Sequence, residues 1–319
     1  MYAGIDLGGI NIAVGLVDDD YSMIAKGSVP TGRERTFGEI MKDAADLINR
    51  LVTESGRTVA EIRAIGMGTP GVPDVEKKTV IYACNLPQVH HSSLKDEMAK
   101  YFPGVPVYVE NDANAAAYGE ILAGAAKGLA NAVVVTLGTG VGGGVIIDNK
   151  IYAGFNHAGS EIGHMVLNFN GPKCGCGRSG CFEAYASATA LIQQTKEMIQ
   201  SYPDSVIHDM IDHNPDNING KTAFDAAKQG DRAGEKIVSK YLEYLGIGVM
   251  NIVNMLQPEA IVIGGGICKE GEYLLAPLRK YVATYAYTNE VPQTKLLAAS
   301  LGNDAGIIGA AMLWKQQEQ

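Results

Sequence analysis

The stretch Ala132-Val-Val-Val-Thr-Leu-Gly-Thr-Gly140 is a β-branched apolar run closed by a glycine turn, and Tyr2-Ala-Gly-Ile-Asp-Leu-Gly-Gly9 has the same form at the start of the chain. Such runs favour strands, and glycine lets the backbone turn sharply. The segments downstream of the two stretches are also alike. After the first come apolar runs at Ile12–Val17 and Met23–Val29, then apolar residues at helical spacing over Phe37–Val52. A strand over Ile62–Met67, a helix over Leu94–Phe102, a strand over Val105–Val109 and an Ala-rich helix over Asn111–Ala126 complete the round. After the second stretch, Val145–Asp148 and Ile151–Tyr152 read as hairpin partners, and Thr189–Ser201, Ala223–Gln229 and Gly234–Leu256 as helices. The last of these stops before Pro258, as helices tend to. Ala260–Ile263 is a strand closed by Gly264–Gly266, and helices over Glu270–Tyr285 and Ala305–Lys315 end the chain. A repeated order of this kind implies an α/β architecture of two related lobes with a cleft between them. The expected smaller lobe is 1–112 plus a returning 305–319, and the larger is 113–304.

Composition narrows the function. With 46% apolar and 19% charged residues, the 319-residue chain has ample material for a core. A formal net charge of −9 argues against a nucleic-acid footprint, which needs clustered Lys and Arg. It does not argue against nucleotides, because backbone N–H groups and a metal ion can hold phosphates. No apolar run of about 18 residues appears, so no membrane partner is expected. Met1 leads into MYAGIDLGG without the pattern of a signal peptide, so the cytoplasm is the expected location.

Two GxGxxG matches, Gly66–Gly71 and Gly138–Gly143, fail as dinucleotide fingerprints because neither leads into a helix. Gly220-Lys221-Thr222 resembles the end of a Walker A loop, but position 215 is Pro instead of Gly. Three glycine turns after apolar strands remain: Gly8-Gly9, Gly138–Gly144 and Gly264–Gly266. Each alone reads equally well as a tight hairpin; the three together favour an anion. Asp6, at the end of the first strand, is placed to hold Mg²⁺ directly or through water.

Of five cysteines, Cys174, Cys176 and Cys181 crowd into one Gly-rich loop, Cys174-Gly-Cys-Gly-Arg-Ser-Gly-Cys181. An odd, bunched set suits a metal better than disulfides. With His164 as the nearest fourth ligand the site would be a closed, structural Zn²⁺ site. Glu110-Asn-Asp112 joins a strand to a helix, and from these residues alone Asp112 reads as a helix N-cap before a catalytic group, although an N-terminal carboxylate can still face a pocket.

Taken in order, Asp6-Leu-Gly-Gly9, Gly68-Thr-Pro-Gly71, Glu110-Asn-Asp112, Leu137-Gly-Thr-Gly-Val-Gly-Gly-Gly144, Glu161-Ile-Gly-His164, Cys174-x-Cys-Gly-x-x-Gly-Cys-x-Glu183 and Gly302-Asn-Asp-Ala-Gly306 resemble the signatures of the ROK family (repressors, open reading frames and kinases). The resemblance covers essentially the whole chain and is closest to the glucokinase branch. It implies an actin-like (ribonuclease H-like) two-lobe fold, a homodimer, and transfer of phosphate from Mg·ATP to a hexose, with glucose going to glucose 6-phosphate. Asp112 matches the general base. Asn111, Glu161, His164 and Glu183 match sugar-binding positions, and Gly71 and Asn85 line the same pocket. Asp6, Gly8, Gly9, Gly138, Thr139, Gly140, Gly265 and Gly266 match the ATP-facing loops. His164, Cys174, Cys176 and Cys181 match the zinc ligands.

One position departs from the pattern. Ile10 stands where the family usually has a Thr whose hydroxyl can meet phosphate, so weaker ATP binding or slower turnover is expected. Three alternatives stand beside glucose phosphorylation. One is a kinase for N-acetylmannosamine, N-acetylglucosamine, fructose or allose. Another is a sugar-binding sensor that has lost catalysis. The third, a transcriptional regulator, is disfavoured by the acidic balance and by a first strand that starts at residue 2.

Overall fold

A computed structural model describes residues 1–32, 34–83 and 86–318. The chain divides by its contacts into two units: residues 1–134, 144–160 and 300–319 form the first, and residues 135–143 and 161–299 the second.

In the first unit, β1 (Tyr2–Leu7), β2 (Asn11–Val17) and β3 (Met23–Pro30) form an antiparallel meander. Strands β4 (Ile65–Thr69) and β5 (Val107–Asn111) add to β1 in parallel, giving the order β3-β2-β1-β4-β5. Helix α1 (Phe37–Glu54) packs its buried stripe of Ile40, Met41, Ala44, Leu47, Ile48 and Leu51 into the core with Ile5, Leu7, Ile12 and Met67. Its start is set by a capping box: Thr36 N–H donates to Glu39 Oε2 at 2.8 Å and Glu39 N–H donates to Thr36 Oγ1 at 3.4 Å.

The other strands repeat the pattern. Strands β6 (Ala132–Leu137), β7 (Val141–Ile147), β8 (Lys150–Tyr152), β9 (Ala260–Gly264) and β10 (Lys295–Ala298) lie in the order β8-β7-β6-β9-β10. Again the third and second strands pair antiparallel and the fourth and fifth parallel. The sequence reading misses β10, a four-residue Lys-Leu-Leu-Ala run without β-branching, and starts β7 late because Gly142–Gly144 interrupt its apolar pattern.

The remaining helices include α2 (Asp112–Leu122), α3 (Ala188–Ile199), α4 (Thr222–Lys228), α5 (Arg232–Leu256), α6 (Glu272–Tyr285) and α7 (Asp304–Ala311). Helix α7 is buried at Ala305–Ala311 and packs on α2, β1 and β4 in the first unit. Two glycines allow this approach: a Cβ on Gly66 would lie 1.7 Å from Ala310 O, and one on Gly309 1.7 Å from Ala115 O. By its contacts α2 belongs to the first unit, as do residues 144–160; the expected boundary at 112/113 instead cuts the β5–α2 junction.

Candidate active site

In the first unit the chemistry collects at the C-terminal ends of parallel strands, where open α/β sheets bind ligands. Asp6 on β1 is in register with Gly68 on β4, Gly68 with Glu110 on β5, and Thr69 with Asn111. The helix cap is Asn111, not Asp112: Asn111 Oδ1 accepts from Ala113 N–H at 2.9 Å and Asn114 N–H at 3.2 Å. Asp112 is the first helical residue, and its Oδ1 accepts from Ala113 N–H at 2.8 Å. A carboxylate in the first turn is favoured by the helix dipole. Asn111 Nδ2 also donates to Gly71 O at 3.0 Å, tying the Gly68-Thr-Pro-Gly71 turn to the Glu-Asn-Asp segment. Gly71 has φ +81°, and a Cβ there would fall 1.9 Å from Tyr82 O, so no other residue fits that turn. Behind them Glu110 is buried; its Oε1 accepts from Asn111 N–H at 2.8 Å and Asn114 Nδ2 at 3.0 Å, and burial pushes its carboxyl upward.

Asp6 lies beside α7, where a Cβ on Gly306 would sit 3.0 Å from its Oδ2. Burial raises its carboxyl to about 6. An unfolded Asp titrates near 3.9, so the folded chain binds the extra proton between about pH 4 and 6, and the stability present below that window is lost as pH rises through it. The Asp6→Asn variant is therefore expected to be more stable at pH 7.5 by up to about 3 kcal/mol, with no gain at pH 4. Melting curves at the two pH values check this; an equal shift at both would refute it. Gly8 serves the β1–β2 turn: its N–H donates to Asn11 O at 3.0 Å and its O accepts from Thr31 Oγ1 at 2.7 Å. Gly9 follows in the same turn.

The second unit holds a cavity of about 420 Å³ bounded by the β6 turn, the start of α3, the turn before α4 and the turn after β9. Gly138, Thr139 and Gly266 line it. Ala188 N–H donates to Gly138 O at 2.8 Å and Thr189 Oγ1 to Thr139 O at 2.8 Å, so the start of α3 pins this turn. Of the six glycines expected to face ATP, the four in this unit divide by what a side chain would meet. At Gly138 and Gly266 a Cβ would find open space. At Gly140 it would lie 2.3 Å from Glu183 Oε2, and at Gly265, with φ +85°, 2.4 Å from Leu137 O. Gly266→Ala is thus expected to keep the melting temperature while raising the KM for nucleotide, and Gly265→Ala to destabilise by about 1–3 kcal/mol. Paired melting and kinetic measurements check this; matching melting temperatures for the two variants would contradict the division.

Also in the second unit, the ligand atoms of His164, Cys174, Cys176 and Cys181 lie within 4.8 Å of one another. Cys174 Sγ is 3.6 Å from His164 Nδ1 and Cys176 Sγ is 3.6 Å from Cys181 Sγ. With Zn–S near 2.3 Å and Zn–N near 2.0 Å, the edges of a tetrahedron are about 3.5–3.8 Å, so these spacings fit the ion. Backbone shape produces them: Gly177 N–H donates to Cys174 O at 3.0 Å, Cys174 N–H to Arg178 O at 2.9 Å, and Val166 bridges Cys181. Burial pushes the Cys174 and Cys181 thiols up, while backbone hydrogen bonding at Arg178 lowers Cys176. Glu183 joins this loop to the β6–β7 turn: its Oε1 is 3.6 Å from Cys174 Sγ and its Oε2 accepts from Val141 N–H at 3.0 Å. Glu161 precedes the short 3-10 turn Ile162–His164, and its O accepts from His164 N–H at 3.0 Å.

Among the expected site residues, Asp6, Gly8, Gly9, Gly71, Asn111 and Asp112 lie in the first unit. Gly138, Thr139, Gly140, Glu161, His164, Cys174, Cys176, Cys181, Glu183, Gly265 and Gly266 lie in the second. Asn85 is outside the described residues. Sequence reasoning missed Ala188, Asn219, Lys269 and Glu270 as cavity residues. It set Gly220-Lys221 aside as a failed Walker loop, yet both line the cavity. That triplet was the available signal, and it failed as a Walker loop only because position 215 is Pro instead of Gly.

The ROK family model matches residues 2–317. The glucokinase of Thermotoga maritima is 38% identical over 314 residues, 98% of this chain and 97% of that protein. A crystal structure of a ROK family glucokinase from Streptomyces griseus, in complex with glucose and AMPPNP, is 36% identical with a TM-score of 0.81 and 99% of each chain covered. The xylose repressor of Bacillus subtilis is 34% identical over 283 residues, 88% of this chain and 68% of the repressor. The fold is thus that of the actin-like sugar kinases, and the chain belongs to the ROK family.

Proposed function

We propose that the protein transfers the γ-phosphoryl group of ATP to a hexose, glucose first, at the 6-hydroxyl. The observation that carries this is the division of labour at Glu110-Asn111-Asp112. Asn111 supplies the cap and the tie to Gly71, so neither the fold nor the turn calls on the Asp112 carboxylate for those tasks. Asp112 then serves as general base: it takes the proton of the hydroxyl as that oxygen attacks the γ-phosphorus and ADP departs. Asn111, Glu161, His164 and Glu183 hold the other hydroxyls, with Gly71 fixing the turn beside Asn111. Phosphoryl transfer depends mostly on positioning and charge, so such binding groups are a large part of the catalysis. The Gly138–Gly140 turn and Gly265-Gly266 cradle the phosphates, with Asp6 near the Mg²⁺ that neutralises their charge. Zinc, held by His164, Cys174, Cys176 and Cys181, braces the loop. Because Nδ1 of His164 faces the thiols, Nε2 is the nitrogen to present to a sugar hydroxyl.

Similarity to glucokinases over nearly the full chain favours glucose over acetamido sugars, fructose or allose. A coupled ADP-release assay over hexoses, amino sugars and acetamido sugars tests the reading: glucose is expected to give the highest kcat/KM. Sugar binding without ADP release would favour a second reading, a sensor without catalysis. Two observations keep that reading open. Ile10, 73% exposed in the β1–β2 turn, offers no hydroxyl to a phosphate, and a repressor is among the relatives. We expect a cytoplasmic homodimer, which sedimentation checks as to assembly; among the described residues no helix is long and apolar enough to cross a membrane.

A further inference from the structure

Trp314–Gln317 is a short helical turn after α7 that buries no side chain, and Glu318 behind it is exposed. Little apolar burial holds this segment, so its position depends on specific contacts, all within the first unit. Trp314 stacks on Tyr2 of β1 with ring centroids 5.3 Å apart, and Lys315 Nζ donates to the Tyr21 hydroxyl at 2.9 Å. Gln316 Nε2 donates to Asn149 O at 2.9 Å, and its Oε1 accepts from Ile151 N–H of β8 at 3.1 Å. Gln317 Nε2 donates to Val109 O of β5 at 2.9 Å, and its Oε1 accepts from Lys78 Nζ at 2.5 Å. Glu318 accepts from the Tyr108 hydroxyl.

The Gln317 contacts fall on the strand that carries the Glu-Asn-Asp segment. Strand β5 ends its sheet, and Ile65 N–H donates to Pro106 O at 2.9 Å. With the two-residue period of a strand, the carbonyls of 106, 108 and 110 face β4, and that of Val109 faces the open edge. Val109 is fully buried, so its carbonyl needs a partner from outside the ladder, and Gln317 supplies it. Lys78, with φ +57° in the turn between the short strands Val72–Asp74 and Thr79–Tyr82, lies 5.4 Å over the Tyr108 ring. Its charge also acts on Glu110: burial raises that carboxyl, and the charges of His157 and Lys78 are among the groups that draw it back down. Glu110 Oε1 in turn accepts from the N–H of Asn111, the α2 cap. One amide thus ties the carbonyl of residue 109 and the cation facing residue 110, two positions before Asp112.

We propose that Gln317 is a positioning residue for phosphoryl transfer, a role that rests on the kinase reading: through Val109 O and Lys78 it fixes the end of β5, and with it Asn111 and the Asp112 carboxylate. Gln317 acts only through these groups. A catalytic group displaced by about 1 Å can cost about 10²-fold in rate, so a remote tie of this kind can matter far more to turnover than to stability. The plainer role for such an amide is to close a sheet edge against other chains. Gln316 separates the two roles. It is the same residue type making the same pair of contacts, but on β8, which also ends its sheet and carries none of the expected site residues.

The test compares the parent with Gln316→Ala, Gln317→Ala and Gln317→Glu. It reads kcat, the KM values for glucose and ATP, melting temperature, and amide hydrogen exchange over residues 107–114. Gln317→Ala is expected to lower kcat about tenfold and to raise the glucose KM, because Asn111 moves with Asp112, while the ATP KM stays within about twofold. Exchange over 107–114 should quicken. Gln317→Glu can still accept from Lys78, but an ionised carboxylate cannot donate to Val109 O, so it should lose kcat as well. It also stands in for the alanine variant if that one shows no cooperative melting transition. Gln316→Ala is expected to keep the parent values. Parent-like kcat in both Gln317 variants would overturn the proposal, as would equal losses in the two alanine variants. A fall in kcat with both KM values unchanged and a lowered melting temperature would also overturn it, since that is what a smaller folded fraction produces. If the parent phosphorylates no hexose, the kinase reading falls instead. Exchange then decides the tie alone: faster exchange over 107–114 in Gln317→Ala than in Gln316→Ala sustains it, and equal rates overturn it.

Discussion

Replacing Asp112 by Asn is expected to lower turnover by about 10²–10⁴-fold, the usual contribution of a positioned general base, while leaving the fold and the glucose affinity near those of the parent. The structure makes this variant informative because of what it spares. The α2 cap is Asn111, so Asp112→Asn keeps both cap hydrogen bonds. The Asn side-chain carbonyl can still accept from Ala113 N–H, as Asp112 Oδ1 does. The favourable charge–dipole term at the helix start is lost, about 0.3–1 kcal/mol, too little to unfold a domain of this size. A rate loss is then a loss of proton acceptance. The contrasting variant is Asn111→Ala, which should cost about 1 kcal/mol of stability through the cap and release the Gly71 turn. Turnover of Asp112→Asn within about threefold of the parent would remove the base assignment, given the magnitude expected of such a group.

Removal of the metal is the second large effect. The purified protein is expected to carry about one zinc per chain, and strong chelation should weaken glucose binding by about tenfold or more, the scale on which second-shell groups of metal sites act. The route is short. His164 is both a thiol neighbour and an expected sugar contact, and Glu183 stands between Cys174 and Val141 N–H. Cys181→Ser, at a fully buried position, should reproduce the effect without chelator. Because burial holds the Cys174 and Cys181 thiols high, ion binding must displace protons, so metal retention should weaken as pH falls. Metal analysis of freshly purified, reduced protein that finds no zinc would end this account, as would full glucose affinity after chelation.

The legible part of this molecule was its repetition. Two apolar runs closed by glycine announced two sheets, and both have the strand order third-second-first-fourth-fifth. The cysteine loop was equally plain, because thiolate spacing and glycine are local properties that a sequence displays directly. Roles set by tertiary contact were hidden. Nothing local separates Gly138 from Gly140 or Gly265 from Gly266. Only the neighbours show that one of each pair faces open space while the other lies against a carboxylate or a carbonyl. The cap was misjudged for a related reason: Asn111 and Asp112 are both good capping residues, and the choice between them depends on where β5 ends. Glu270 could not be found from sequence because its partner Lys228 is on another element and the cavity that Glu270 lines is assembled from separate turns.

The burial of α7 also constrains when the protein can become itself during synthesis. Strands β1 and β4 and helix α2 are made early, but the surface they share is covered by residues 304–311. A nascent chain must therefore carry an uncovered apolar face until residues 304–311 have left the ribosome. Chaperone dependence and sensitivity to premature termination should both concentrate on the first unit, although its strands leave the ribosome first.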